Sequence, residues 1–170
     1  KASMQQKKLR EAILALPEER IIFHNDSRDI LKVADKMLTG ELEYKKENYA
    51  KAFQNLNEAV DCYDNLNYSE PWSWMMPPRH ALGALLLEQG HVEKAKSIYR
   101  DDLGLDNTLV RPSQHPGNVW SLLGYMECCE RLNDTKSISE IKSQFEKAIE
   151  IADDTIRVSC FCRTRKICCD

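Results

Sequence analysis

Four cysteines crowd the last eleven residues of the chain, as Cys160-x-Cys162 and Cys168-Cys169, and thiols so close together have two possible uses. As thiolates they could hold Zn²⁺ or Cu⁺, both of which favour sulfur ligands. The spacing argues against a structural zinc site, whose knuckles place two residues between the cysteines so that both sulfurs turn to one ion. In an extended C-x-C both sulfurs lie on one side, yet too far apart to share an ion without a bend. Structural or incidental thiols are therefore the first reading, and a metal or redox site at Cys160, Cys162, Cys168 and Cys169 is the alternative. His24, His80, His91 and His115 have no metal or triad spacing, and no H-E-x-x-H, G-x-S-x-G, phosphate-loop or dinucleotide motif occurs. Asp101-Asp102 and Asp153-Asp154 could pair carboxylates for acid–base work, but charge doublets at helix ends are ordinarily solvated. The expectation is a protein without a catalytic constellation and without a resident cofactor.

Composition narrows the class further. Twenty-four basic and 27 acidic residues leave a formal net charge of −3, with lysines scattered rather than run together, so nucleic acid is not an expected partner. The longest apolar runs, such as Ala81–Leu87 around Gly83, are far short of a membrane span. No signal peptide stands at the start, and a first residue of Lys reads as an excised or processed chain. The odd count of seven cysteines disfavours a fully paired disulfide framework. Cys62, Cys128 and Cys129 fall within helical patterns as small apolar residues, which fits a reducing, cytoplasmic compartment.

Whatever these residues do, helices must position them. Apolar residues recur at helical spacing over seven stretches, predicting helices at about 4–16, 29–46, 49–66, 78–89, 92–102, 118–131 and 136–151. Pro17 ends the first, and Asn25, Asp26 or Ser27 can cap the second. Ile21-Ile22-Phe23 reads as a connector packed on the helix pair at 29–66. Asn67–Pro78, with three prolines, is a linker that interrupts helix, and Leu105–Pro116 reads as an exposed, mobile polar loop.

Trp120-Ser121-Leu122-Leu123-Gly124 and Leu82-Gly83 share a Leu-Gly step. Ala95 and Tyr99 follow Gly83, and Ala52 and Leu56 follow Gly40, at the same intervals of twelve and sixteen residues. This resembles the W-x2-L-G…A-x3-F pattern of the tetratricopeptide repeat (TPR), whose small residues let paired helices approach closely. The resemblance spans about 29–152. With Tyr68, Glu70-Pro71, Trp74, Arg79, Leu82-Gly83 and Tyr99–Leu103, it extends to a poorly characterised group of TPR-repeat proteins of bacteria and some eukaryotes, which brings no assigned activity. The Leu105–Gln114 insertion departs from that group.

The resemblance implies an all-α array of about three TPR-like hairpins at 29–152, an N-terminal helical extension at 1–28 and a Cys-rich tail at 153–170. Aligned on Gly40, Gly83 and Gly124, the third hairpin's turn should be five residues longer than the others. The same alignment puts Met37, Glu41 and Tyr44, then His80, Ala84 and Leu87, then Ser121, Tyr125 and Cys128 on a concave face suited to a peptide or helix of a partner protein. The lysine and asparagine clamp by which chaperone-binding TPR domains grip a terminal carboxylate is not expected, since its positions carry Met37, Glu41, Ala81, Asn118 and Leu122. Trp72 and Trp74, with Met75 and Met76, form either a partner anchor, a self-association surface or a plug between hairpins. The implied function is a non-catalytic interaction module or scaffold. Residues 153–162 should fold back on the last helix pair, burying one of Cys160 and Cys162.

Overall fold

Side-chain caps and left-handed turn residues cut the chain into helices close to the limits that the apolar periodicity predicts. The computed structural model describes residues 1–152, 156–160 and 162–163. Its elements are α1 (Ala2–Leu14), β1 (Ile21–Ile22), β2 (Asn25–Asp26), α2 (Ser27–Lys45), α3 (Tyr49–Asp64), α4 (Pro78–Glu88), α5 (Val92–Leu103), a 3-10 turn (Arg111–Ser113), α6 (Val119–Arg131) and α7 (Thr135–Glu150). Asp26, Asn118 and Asp134 accept hydrogen bonds from the first free N–H groups of α2, α6 and α7, contacts that typically stabilise a helix by about 1 kcal/mol each. Gly104, left-handed at φ 69°, ends α5. The fold is mostly helical, and among the described residues no helix is long and apolar enough to cross a membrane.

Three helical hairpins share one turn. Glu47, Gly90 and Asn133 all adopt positive φ, 43 residues apart, and each turn is three residues long. In each, the next residue's N–H bonds back five positions, Asn48 to Glu43, His91 to Leu86 and Asp134 to Cys129, all at 2.9 Å. The third turn is thus no longer than the others, against the expectation from aligning on Gly124. That glycine stands two residues out of the register that relates Gly40 to Gly83. Glu47 holds a conformation that costs an L side chain on the order of 1 kcal/mol, and Lys46 and Asn48 on either side of it both bond the buried Glu43 carboxylate.

The chain divides into two compact units. In Lys1–Pro78, α1 lies against α2, where Arg10 bonds Asp35 at 2.8 Å and Thr39 at 2.9 Å. The α2/α3 hairpin closes at Gly40, where an added Cβ would stand 2.6 Å from Leu56 Cγ. Ile21-Ile22 does not pack down as expected. It pairs antiparallel with Asn25-Asp26 around Phe23-His24, and Ile21, Ile22 and Phe23 are all exposed. The Asn25 side chain, itself buried, donates to Asn67 O and Ser73 Oγ and accepts from Asn67 N, stapling this ribbon to the linker that follows α3.

In Arg79–Asp170, α4, α5, α6 and α7 run antiparallel in succession. Tyr99 on α5 is wholly buried between two glycines. A Cβ on Gly83 of α4 would meet its Cζ at 2.6 Å, and one on Gly124 of α6 would come closer still. Both neighbours of α5 have therefore been stripped to hydrogen to admit one aromatic ring.

Candidate functional site

Three residues along from that ring lies a second rung built from the same helices. Asp102 of α5, fully buried, faces His80 of α4 and Ser121 of α6, each three residues before its helix's glycine. An ionised carboxylate only accepts, so the nitrogens and hydroxyl facing it carry the protons. His115 Nδ1 donates to Oδ1 at 2.8 Å, His80 Nε2 to Oδ2 at 3.1 Å and Ser121 Oγ to Oδ2 at 2.5 Å. Burial alone would push the Asp102 carboxyl up, but the bonds from His115 and His80 outweigh it and hold the group well below the usual carboxylate range. His115 arrives on the loop after α5, and its own N–H donates to Asp102 O at 2.6 Å.

Two expectations are overturned here. Asp102 is not a solvated helix-end charge, because three donors replace the water it has lost. The Leu105–Pro116 loop is exposed along its first part but anchored at its end. Gln114 and His115 are buried, and Gln114 Nε2 donates to Leu109 O at 2.8 Å. A signal for Asp102 existed: the 43-residue register places it opposite Ala59, a core position. His115 carried no such signal, since nothing in a loop's composition says which of its residues returns to the core.

Chemically, the cluster is closed on itself. Ser121 points at a carboxylate rather than at an imidazole that could take its proton, and Asp102, His115 and Ser121 are all buried. A nucleophile needs an adjacent base and an open approach. This arrangement holds a helix layer and a loop together.

The residues assigned to a partner face have scattered fates. Met37, Tyr44, Leu87, Ser121 and Tyr125 are buried, as are Ala84 and Cys128, whereas Glu41 and His80 are half-buried. Met37 lies under the linker, whose Trp74 Nε1 donates to its sulfur at 3.2 Å. In the aromatic and methionine cluster, Trp74 reaches Met37, while Trp72, Met75 and Met76 are exposed, Met75 at 62 %. The protein chain itself thus covers most of the positions that the repeat alignment points outward.

The described part of the tail folds back on Tyr99 of α5 and Glu127 of α6, one helix earlier than the expected α6/α7 pair. Tyr99 Oη donates to Ser159 Oγ at 2.8 Å, and Ser159 and Cys160 are buried, with Cys162 half-buried. Arg163 bonds both oxygens of Glu127 on α6, at 3.0 and 3.4 Å. No cluster of metal-ligating residues occurs among the described residues. Cys168, Cys169, Asp153, Asp154 and Phe161 lie outside them. Cys128, buried on α6, has its thiol pushed up to about 12 by burial, which makes it an inert packing residue at neutral pH. Comparison with family models, curated proteins and solved structures gives no match to this chain.

Proposed function

We propose that this chain is a non-catalytic protein-interaction module, TPR-like in its build, that binds a segment of a partner protein. The observation that carries the reading is the apolar surface of Lys1–Pro78. Ile21, Ile22 and Phe23 on the ribbon, and Tyr68, Trp72, Met75 and Met76 on the linker, are all exposed. The Asn25 staple, with Asn67 Nδ2 donating to His24 O at 2.8 Å, brings these two segments together. Large apolar side chains gathered at a surface mark interaction sites, where Trp covers much area with few rotatable bonds and Met adapts to irregular contacts. A hairpin array suits this role, since its turns repeat at a fixed interval and its helices need no substrate pocket.

Affinity capture with the wild type against a Trp72→Ser/Met75→Ser/Met76→Ser variant tests the reading. Partners that depend on the three side chains are the expected result, and an identical set from both proteins overturns it. Light scattering on the same pair separates a foreign partner from a second copy of the chain, because self-association appears as a mass that grows with concentration and falls back in the variant.

A further inference from the structure

The contacts of the tail carry a second binding site, on a different surface from the linker. Tyr99 passes between Gly83 and Gly124, and its hydroxyl emerges on the far side to meet Ser159. Residues 159, 160, 162 and 163 therefore lie over the gap between α4 and α6, with Tyr99 as the floor. Glu127 of α6 grips the Arg163 guanidinium with both oxygens, and the negative charge of Glu88 on α4 also favours the cation. Among the described residues, 158–160 bend and 162–163 turn, and none pairs as a strand with the helices beneath. The backbone–backbone bond seen among them is internal, Arg163 N to Cys160 O at 3.1 Å. Its hold on the protein comes from side chains: a buried hydroxyl at Ser159, a buried Cys160, and an arginine four residues after the serine whose side chain is 17 % exposed. A short, turned peptide ligand can be held in the same way, with a bidentate arginine–carboxylate pair for specificity and one satisfied hydroxyl at the floor.

We propose that the cleft between α4 and α6, floored by Tyr99 and walled by Glu127, is a peptide-binding site that Ser159 and Arg163 of the tail occupy in cis. Its ligand in trans is a short, turned protein segment presenting a hydroxyl side chain four positions before an arginine. This extends the interaction-module reading by giving the module a second, self-blocked site. A tethered segment competes at an effective concentration in the millimolar range, so if the segment binds the open cleft with a constant of about 10 to 100 micromolar, an incoming peptide meets a block of about 10-fold to 100-fold.

The probe is a fluorescein-labelled peptide of the sequence Ile156–Arg163 with alanine at both cysteine positions, read by fluorescence anisotropy. The wild-type chain is compared with a Ser159→Ala/Arg163→Ala protein of the same length, whose tail is unanchored, and with a Glu127→Gln variant of that protein. Circular dichroism first confirms that each is folded. Binding at least 10-fold tighter to the unanchored protein than to the wild type, lost again with Glu127→Gln or with an Arg163→Ala peptide, is the expected pattern. Equal affinity for wild type and unanchored protein, or no binding to a folded unanchored protein, overturns the proposal. Either result leaves the linker surface intact as a reading, because that surface rests on other residues and is tested by other variants.

Discussion

The hairpins α2/α3 and α4/α5 are built to one register and differ at one rung. Stepping 43 residues relates Gly40 to Gly83, Ala52 to Ala95 and Leu56 to Tyr99, the small-residue crossing and its filler. The same step relates Met37 to His80 and Ala59 to Asp102, so an apolar rung in the first hairpin is an ionic one in the second. In both, the segment following the second helix returns to that rung: Trp74 to the sulfur of Met37, His115 to the carboxylate of Asp102. The difference lies in what the rung demands. Met37 accepts a large side chain with little directional preference, whereas Asp102 requires donors at set distances and leaves an uncompensated charge if one is missing.

The sharpest way to break this comparison is at the glycines. Leucine at Gly124 or Gly83 would press on a Tyr99 ring confined from the other side, and overpacking of this kind costs about 3 kcal/mol or more. Gly40→Leu should cost less, because Leu56 is flexible and is confined by one glycine, not two. Thermal melts should rank Gly124 and Gly83 together above Gly40, and a larger loss at Gly40 would contradict the ring-slot account. Next comes the rung. Asp102→Ala strips the carboxylate from three donors and should cost about 3 kcal/mol in urea unfolding. Copying the first hairpin's rung with His80→Met/Asp102→Ala should recover part of that loss, since fewer polar groups are then left unpaired. No recovery would mean that His80 matters for something besides Asp102.

Acid sharpens the same point. The Asp102 carboxyl is held below its ordinary value of 3.8 in the folded protein, so its stabilising contribution is complete above that value and drains away as pH falls below it. Glu43, lowered to about 2 chiefly by its bond from Lys46, adds to the same acid limb. Between pH 4 and pH 2 the wild type should therefore lose stability more steeply than Asp102→Asn, a slope that urea midpoints across the range would measure (an order-of-magnitude window set by ordinary carboxylate values). Parallel slopes would remove Asp102 from the account. The smallest effect is expected at the surface: Met75→Ser should shift stability by no more than about 0.5 kcal/mol while weakening partner capture, and a large drop in Tm would place that side chain in the core.

Much of the helical layout was legible in the sequence because apolar periodicity and capping residues act locally. Pro17, Asp26, Gly90, Asn118 and Asp134 each stand at or beside a boundary that the structure shares. Register was harder. Gly124 looks like the third member of the Gly40 and Gly83 series, yet it serves Tyr99 of the preceding helix, so aligning on it misplaced the third turn. Asn133 was the better marker, since Asn tolerates the left-handed region that the turn needs. At the site, the repeat pattern assigns His80 and Ser121 to a partner face and Asp102 to solvent, yet the structure joins them. No periodicity reveals that kind of convergence, because it depends on which loop residue closes the rung.

The equal spacing of Glu47, Gly90 and Asn133 also makes the chain a set of interchangeable lengths. Excising residues 48–90, so that Glu47 runs directly into His91, would splice α2 onto α5 without disturbing the phase of either helix. Gly40 would then face Tyr99, a match of shape, but Met37 would face Asp102, a carboxylate opposite a thioether. The lengths are modular while the rungs are not, and recombination between the two hairpins would be limited by that single pairing.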